Sequence, residues 1–136
     1  MTDVPQTLPA DAESISRGGF NAFAGPFWRL APDGQIRRFA LLVEPKHMNG
    51  SGSLHGGVLM TFADIAMSQV ARMAADAPAC NTVSLTCDFV GPGELGDVVE
   101  ARVRLARRTR TLVFLSADIV VGERVLAVAT GLWKTT

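Results

Sequence analysis

The chain has 136 residues, and its thirteen basic and thirteen acidic side chains cancel at neutral pH. That length suits one domain burying roughly two-thirds of its unfolded surface, and the balanced charge excludes a global pull on nucleic acid or anionic membrane. The opening MTDVPQTLPADAESIS lacks the basic start and apolar block of a signal peptide, and the apolar stretch from Gly56 to Ala75 is broken by Asp64, Gln69 and Arg72, so a soluble cytoplasmic protein is expected.

Residues 1–11 are polar and proline-bearing, and a loose terminus is expected there. Residues 12–24 predict a short helix, weakened by Gly18 and Gly19 and ended by Pro26. Strands are predicted over 27–31 and 35–44, joined at Pro32-Asp33-Gly34. Residues 57–75 predict the one long helix, apolar on almost every side and therefore destined for burial. Four alternating stretches follow, at 82–90, 98–105, 111–121 and 124–134, joined by short turns that make neighbours antiparallel. Cys80 and Cys87 fall in one strand, about 23 Å apart, too far to pair. With only two histidines besides, no zinc ligand set is expected. The fold class is α+β: one central helix against a curved antiparallel sheet of five to six strands.

Residues 47–57 read H-x-N-x-x-G-x-x-H-G-G and lead straight into the helix. The first amides of a helix have no internal partner and sit at its positive end, so they suit an anion or a polarised carbonyl. Asp64 lies about 12 Å further along the axis than Gly56. A carboxylate beside so much apolar surface costs several kcal/mol unless it is paired or functional. It either pairs structurally, with Arg72 or a nearby loop, or acts in a site. One helix cannot bring its own Asp64 to a group held at its own start, but two antiparallel copies can, which implies a site shared across a dimer. The loop lacks the G-K-[ST] ending of a P-loop, and Ser51 and Ser53 do not sit in a G-x-S-x-G elbow.

The run His47 to Gly57, followed by Thr61-Phe62-Ala63-Asp64, resembles the signature of hotdog-fold acyl-CoA thioesterases. Nearest are the PaaI-type (phenylacetate-degradation) thioesterases of the 4-hydroxybenzoyl-CoA thioesterase superfamily, and the resemblance spans residues 35–134. It implies a catalytic acid at Asp64, as nucleophile or general base. It implies a carbonyl-polarising amide at Gly56, an asparagine placing water or carbonyl at Asn49, a histidine beside the glycines at His55, and a Ser/Thr of the partner wall at Thr82. The turn Arg107, Arg108, Thr109, Arg110, Thr111 and Leu112 matches the segment that holds the nucleotide of coenzyme A. Two positions depart from the family pattern: Thr109, where glycine is usual, and Ser84, where an acid or amide is common. The resemblance also implies homodimers with shared sites, paired into tetramers. Coenzyme A is part of the substrate, and no separate cofactor or metal is implied.

Other readings stand beside these. Arg102, Arg104, Arg107, Arg108 and Arg110 make either a solvated strand face and turn or a phosphate grip. Phe20, Phe23, Phe27 and Trp28 are core or an acyl-pocket wall; His47 is structural or solvent-facing; His55 and Asn49 are helix-cap and turn residues if they are not site residues. A non-catalytic acyl-CoA-binding module and an enoyl-CoA hydratase or dehydratase remain alternatives to hydrolysis.

Overall fold

The structure, a computed structural model, describes residues 3–136. The elements run β1 (Glu13–Ser14), α1 (Gly19–Ala24), β2 (Phe27–Arg29), β3 (Arg37–Leu42), a 3-10 turn at Pro45–His47, α2 (Gly56–Ala75), β4 (Cys80–Phe89), β5 (Val98–Arg108), β6 (Leu112–Val121) and β7 (Arg124–Thr135). The strands form one antiparallel sheet in the order β1-β2-β3-β5-β6-β7-β4. Its seven strands exceed the expected five to six because the short β1, expected as helix, joins the edge beside β2.

Helix α2 begins within one residue of expectation. His55 caps its start by accepting the Gly57 N–H on Nδ1 at 2.8 Å. At its end Asp76 takes the left-handed conformation (φ 49°), and the Ala77 N–H returns to the Arg72 carbonyl. Leu59, Phe62, Ala63, Ala66, Met67 and Val70 bury α2 against Phe39, Val99, Val103, Val113, Ile119 and Trp133 of the sheet. Phe62 stacks on Phe27 with ring centres 5.7 Å apart. None of α2 or α1 is long and apolar enough to cross a membrane.

Three expectations are corrected. The helix at 12–24 survives only over Gly19–Ala24; Glu13 and Ser14 pair with Arg29 and Trp28 instead, and Gly18 and Gly19 turn the chain with φ of 52° and 54°. The terminus at 1–11 is not loose where it is described, since Leu8 is buried with Ala12, Trp28, Leu30 and Ala40 on the sheet face away from α2. The part of that expectation falling on residues 1–2 lies outside the described residues. The regular alternation expected over 82–90 is broken by a bulge between Thr82 and Ser84, and Val83 and Phe89 are half exposed on the outermost strand.

A charged cluster braces β3 and β5. Arg38 and Arg102 bond the two carboxylate oxygens of Glu100 at 2.7 and 2.6 Å. Burial alone would raise the Glu100 carboxyl, but the hydrogen bonds from Arg38 and Arg102 outweigh it and hold the group below the ordinary value of 4.5. A depressed native value stabilises the fold above the unfolded pKa and is lost as pH falls through the native one. Glu100→Gln is therefore expected to lower the melting temperature at neutral pH, with the gap to wild type closing as pH drops below 4.5. Melts across a pH series measure this; a gap constant with pH contradicts it.

Candidate active site

The bulge in β4 decides where Thr82 points. Strict alternation would group Thr82 with Ser84 and Thr86. The extra residue puts Thr82 opposite Trp133, whereas Ser84 sits opposite Leu132. Trp133 is fully buried under α2, so Thr82 joins the helix-facing row. There its Oγ1 donates to Asp64 Oδ1 at 2.6 Å. Among the described residues Asp64 makes no ion pair with Arg72, and its Oδ2 accepts no hydrogen bond, which leaves one half-buried carboxylate oxygen free beside a fixed partner.

The glycine loop is organised around its own polar groups. Asn49 Oδ1 accepts from the amides of Ser51 and Ser53 at 2.8 and 3.0 Å, and its Nδ2 donates to Ser53 Oγ at 3.0 Å. In one chain Asn49 thus shapes the loop. His47 is buried, accepts the Glu44 N–H on Nδ1 and donates from Nε2 to the Ala24 carbonyl. Its own carbonyl accepts the His55 N–H at 2.9 Å, so His47 ties the end of α1 to the start of α2. The Gly57 amide is taken by the His55 side chain, whereas the Gly56 N–H has no acceptor among the described residues. Gly56 is the half-buried, unpartnered donor at the positive end of the helix.

Asp64 and Gly56 are not brought together within a chain, because two turns of α2 separate them by about 12 Å. A surface cavity of about 280 Å3, lined by Glu13, Arg29, Arg38 and Met73 among others, lies towards the other end of α2. Cys80 offers no ready nucleophile near the acid. Burial pushes its thiol up, and its Sγ donates to the Ser68 carbonyl at 3.6 Å.

The arginines divide into two groups that the sequence could not separate. Arg102 pairs with Glu100, and Arg104 with Asp118 at 2.9 Å. Arg107, Arg108 and Arg110 are exposed and have no ion-pair partner among the described residues. They flank the turn between β5 and β6, which is closed by Thr109 N–H to the Leu112 carbonyl at 2.8 Å and Leu112 N–H to Thr109 Oγ1 at 3.1 Å. Thr109 substitutes for glycine without strain: Asp76 is the only described non-glycine residue with positive φ, and the threonine hydroxyl takes over a turn bond. The Thr111 carbonyl is held by the Thr135 amide at 2.9 Å. Of the four aromatics near the amino terminus, Phe27 and Trp28 are core, while Phe20 and Phe23 on α1 are exposed.

Residues 51–128 match the family described as Thioesterase superfamily. The chain belongs to it. Among relatives of this thioesterase-superfamily member, PA0474 of Pseudomonas aeruginosa, which bears an esterase name, is 33% identical over 80% of this chain and 82% of its own length. Acyl-coenzyme A thioesterase 13 of Homo sapiens is 30% identical over 57% of this chain and 55% of that protein. PaaI of E. coli, from the phenylacetic acid degradation operon, superposes with a TM-score of 0.75 at 23% identity, over 85% of this chain and 83% of that one. The thioesterase-superfamily chain has their hotdog fold, with α2 as the sausage and the curved sheet as the bun.

Proposed function

We propose that this protein hydrolyses acyl-CoA thioesters to a free acid and coenzyme A, with each site built from two copies of the chain. The observation that carries the reading is the pairing of Asp64 with Thr82 at 2.6 Å on a chain whose Gly56 amide has no acceptor of its own. Gly56 of one copy polarises the thioester carbonyl, a donor worth about 3 kcal/mol in the transition state. Asp64 and Thr82 of the other copy face it. Thr82 holds one carboxylate oxygen, and the free one attacks the carbonyl carbon or takes a proton from water. His55 keeps the helix start in place, and Asn49 holds the loop that precedes it.

The open edge of β4 supports association. Among the described residues it pairs only with β7, and it carries the half-exposed Val83 and Phe89, with Val90 just beyond. Two copies joined there give the dimer, and a pair of dimers the tetramer. The hydratase reading loses a candidate base, since both ring nitrogens of His47 are engaged.

The test is thiol release from a panel of acyl-CoA thioesters. Free coenzyme A appearing with wild type and not with Asp64→Ala supports hydrolysis. Tight binding without turnover by both proteins would establish a binding module, and hydration of an enoyl-CoA without thiol release a hydratase. The unpaired arginines at the β5–β6 turn are assigned to the nucleotide phosphates. The double variant Arg107→Ala, Arg108→Ala is expected to raise KM by roughly tenfold with kcat nearly unchanged, because those contacts are remote from the bond broken. Steady-state kinetics check this, and an unchanged KM removes the arginines from the site.

A further inference from the structure

A second group of cations sits where the hydrolysis reading has no use for it. Between β1 and the last turns of α2 lies a cavity of about 150 Å3, lined by Glu13, Arg17, Arg29, Gln69 and Arg72 among others. That is room for roughly five waters. Three guanidinium groups border it against one carboxylate, and Glu13 is already taken by Arg29 at 2.5 Å. Arg17, Arg72 and the Gln69 amide make no side-chain hydrogen bond or ion pair among the described residues. Two unneutralised guanidinium groups and an amide around one small cavity are a donor set for an oxyanion.

The position of Arg72 links this cavity to the acid. Asp64, Ser68 and Arg72 follow at intervals of four residues, so they form one stripe along α2. Helical side chains lean towards the helix start, which brings the Arg72 head back towards Asp64 across a span of about 12 Å between the two backbones. The Cys80 thiol beside Ser68 registers both charges: burial raises it most, the Ser68 carbonyl and Arg72 lower it, and Asp64 raises it.

We propose that Arg17, Gln69 and Arg72 form a subsite for a carboxylate at the far end of the acyl group, so that the preferred substrates are thioesters of dicarboxylic acids. This rests on the reading of Asp64 as the catalytic acid. The acyl chain lies along the stripe, its thioester carbon at Asp64 and its terminal carboxylate between the two free arginines.

The test compares glutaryl-CoA and adipyl-CoA with the uncharged valeryl-CoA and hexanoyl-CoA of matching length. Wild type is expected to favour each diacid thioester by about tenfold or more in kcat/KM. Arg72→Gln and Arg17→Gln are expected to bring that ratio close to one, and Arg72→Lys to retain part of it. In parallel, titration calorimetry with free glutarate is expected to show binding to wild type that both Gln variants lose. No diacid preference in wild type, a KM rise shared equally by charged and uncharged thioesters, or dissociation of the oligomer in Arg72→Gln would each overturn the proposal. So would binding of inorganic phosphate but not glutarate, which marks a site for free anions. If none of the four thioesters is hydrolysed and yet glutarate binds through Arg17 and Arg72, the hydrolysis reading fails while the carboxylate subsite stands.

Discussion

Asp64→Asn is expected to lower kcat for acyl-CoA hydrolysis by about 100- to 10,000-fold, with the fold and the oligomer intact. The two side chains have the same shape. Asparagine keeps an oxygen for the Thr82 hydroxyl, which now donates at 2.6 Å, so the contact between α2 and β4 survives. What disappears is the anionic oxygen with no bond of its own, and an amide can neither attack a thioester nor accept a proton from water at neutral pH. Because the site at residue 64 is only half-buried, losing its charge costs the fold little. KM should move much less than kcat, since the acid acts on the bond being broken. Thiol-release kinetics with a thermal melt on the same sample check all three points. Turnover within tenfold of wild type would remove Asp64 from the chemistry, and an unfolded variant would make it a structural acid.

Trp133→Ala should give the largest loss of stability, about 3–5 kcal/mol, through the cavity it leaves. Trp133 is completely buried between α2 and the sheet. Its Nε1 donates to Ser68 Oγ at 2.9 Å, so the truncation also strands a partly buried hydroxyl on the helix. Its ring lies directly over Gly131, where any Cβ would come within 2.6 Å of it. The absence of a side chain at 131 thus makes room for the indole, and a hole opened at 133 has nothing beside it able to expand. For a domain of this size the loss corresponds to a fall in melting temperature of roughly 10–20 °C. Trp133→Phe, which keeps most of the volume and drops the hydrogen bond, should cost only about 1–2 kcal/mol. Chemical denaturation of the two variants separates packing from bonding; a Trp133→Ala loss under about 1 kcal/mol would mean that the neighbours collapse into the space.

Long, strongly patterned elements were readable from the sequence. Helix α2 runs Gly56–Ala75 where 57–75 was expected, because its apolar positions are nearly continuous and His55 and Asp76-Ala77-Pro78 punctuate its ends. Strands β5 to β7 fall where alternation put them, β5 reaching three residues further. Misses came where a single residue changes the geometry. Nothing in T-V-S-L-T announces that Val83 is the bulged residue, yet that one residue turns Thr82 from the outer row to the helix side and into contact with Asp64. The family resemblance named Thr82; alternation alone would have pointed it the wrong way. Glu13-Ser14 was read as helix because two residues are too few to show a period, and their strand pairing depends on β2. The five arginines of 102–110 looked alike until Arg102 was seen on Glu100 of its own strand and Arg104 on Asp118 of the neighbouring one. Site assembly from two chains was inferred from helix length alone, since 12 Å or so of α2 separates the two groups that must meet.

Strand β4 ends the sheet with ten residues whose outer backbone groups have no strand neighbour among the described residues. On the proposal that two copies join there, the folded monomer is a reagent in a second-order reaction. Its melting point should climb with protein concentration, and specific activity should fade on dilution as copies part. A lone chain diluted below its association constant would carry every catalytic group and still hydrolyse nothing. On that proposal, expression level is itself a term in the rate law.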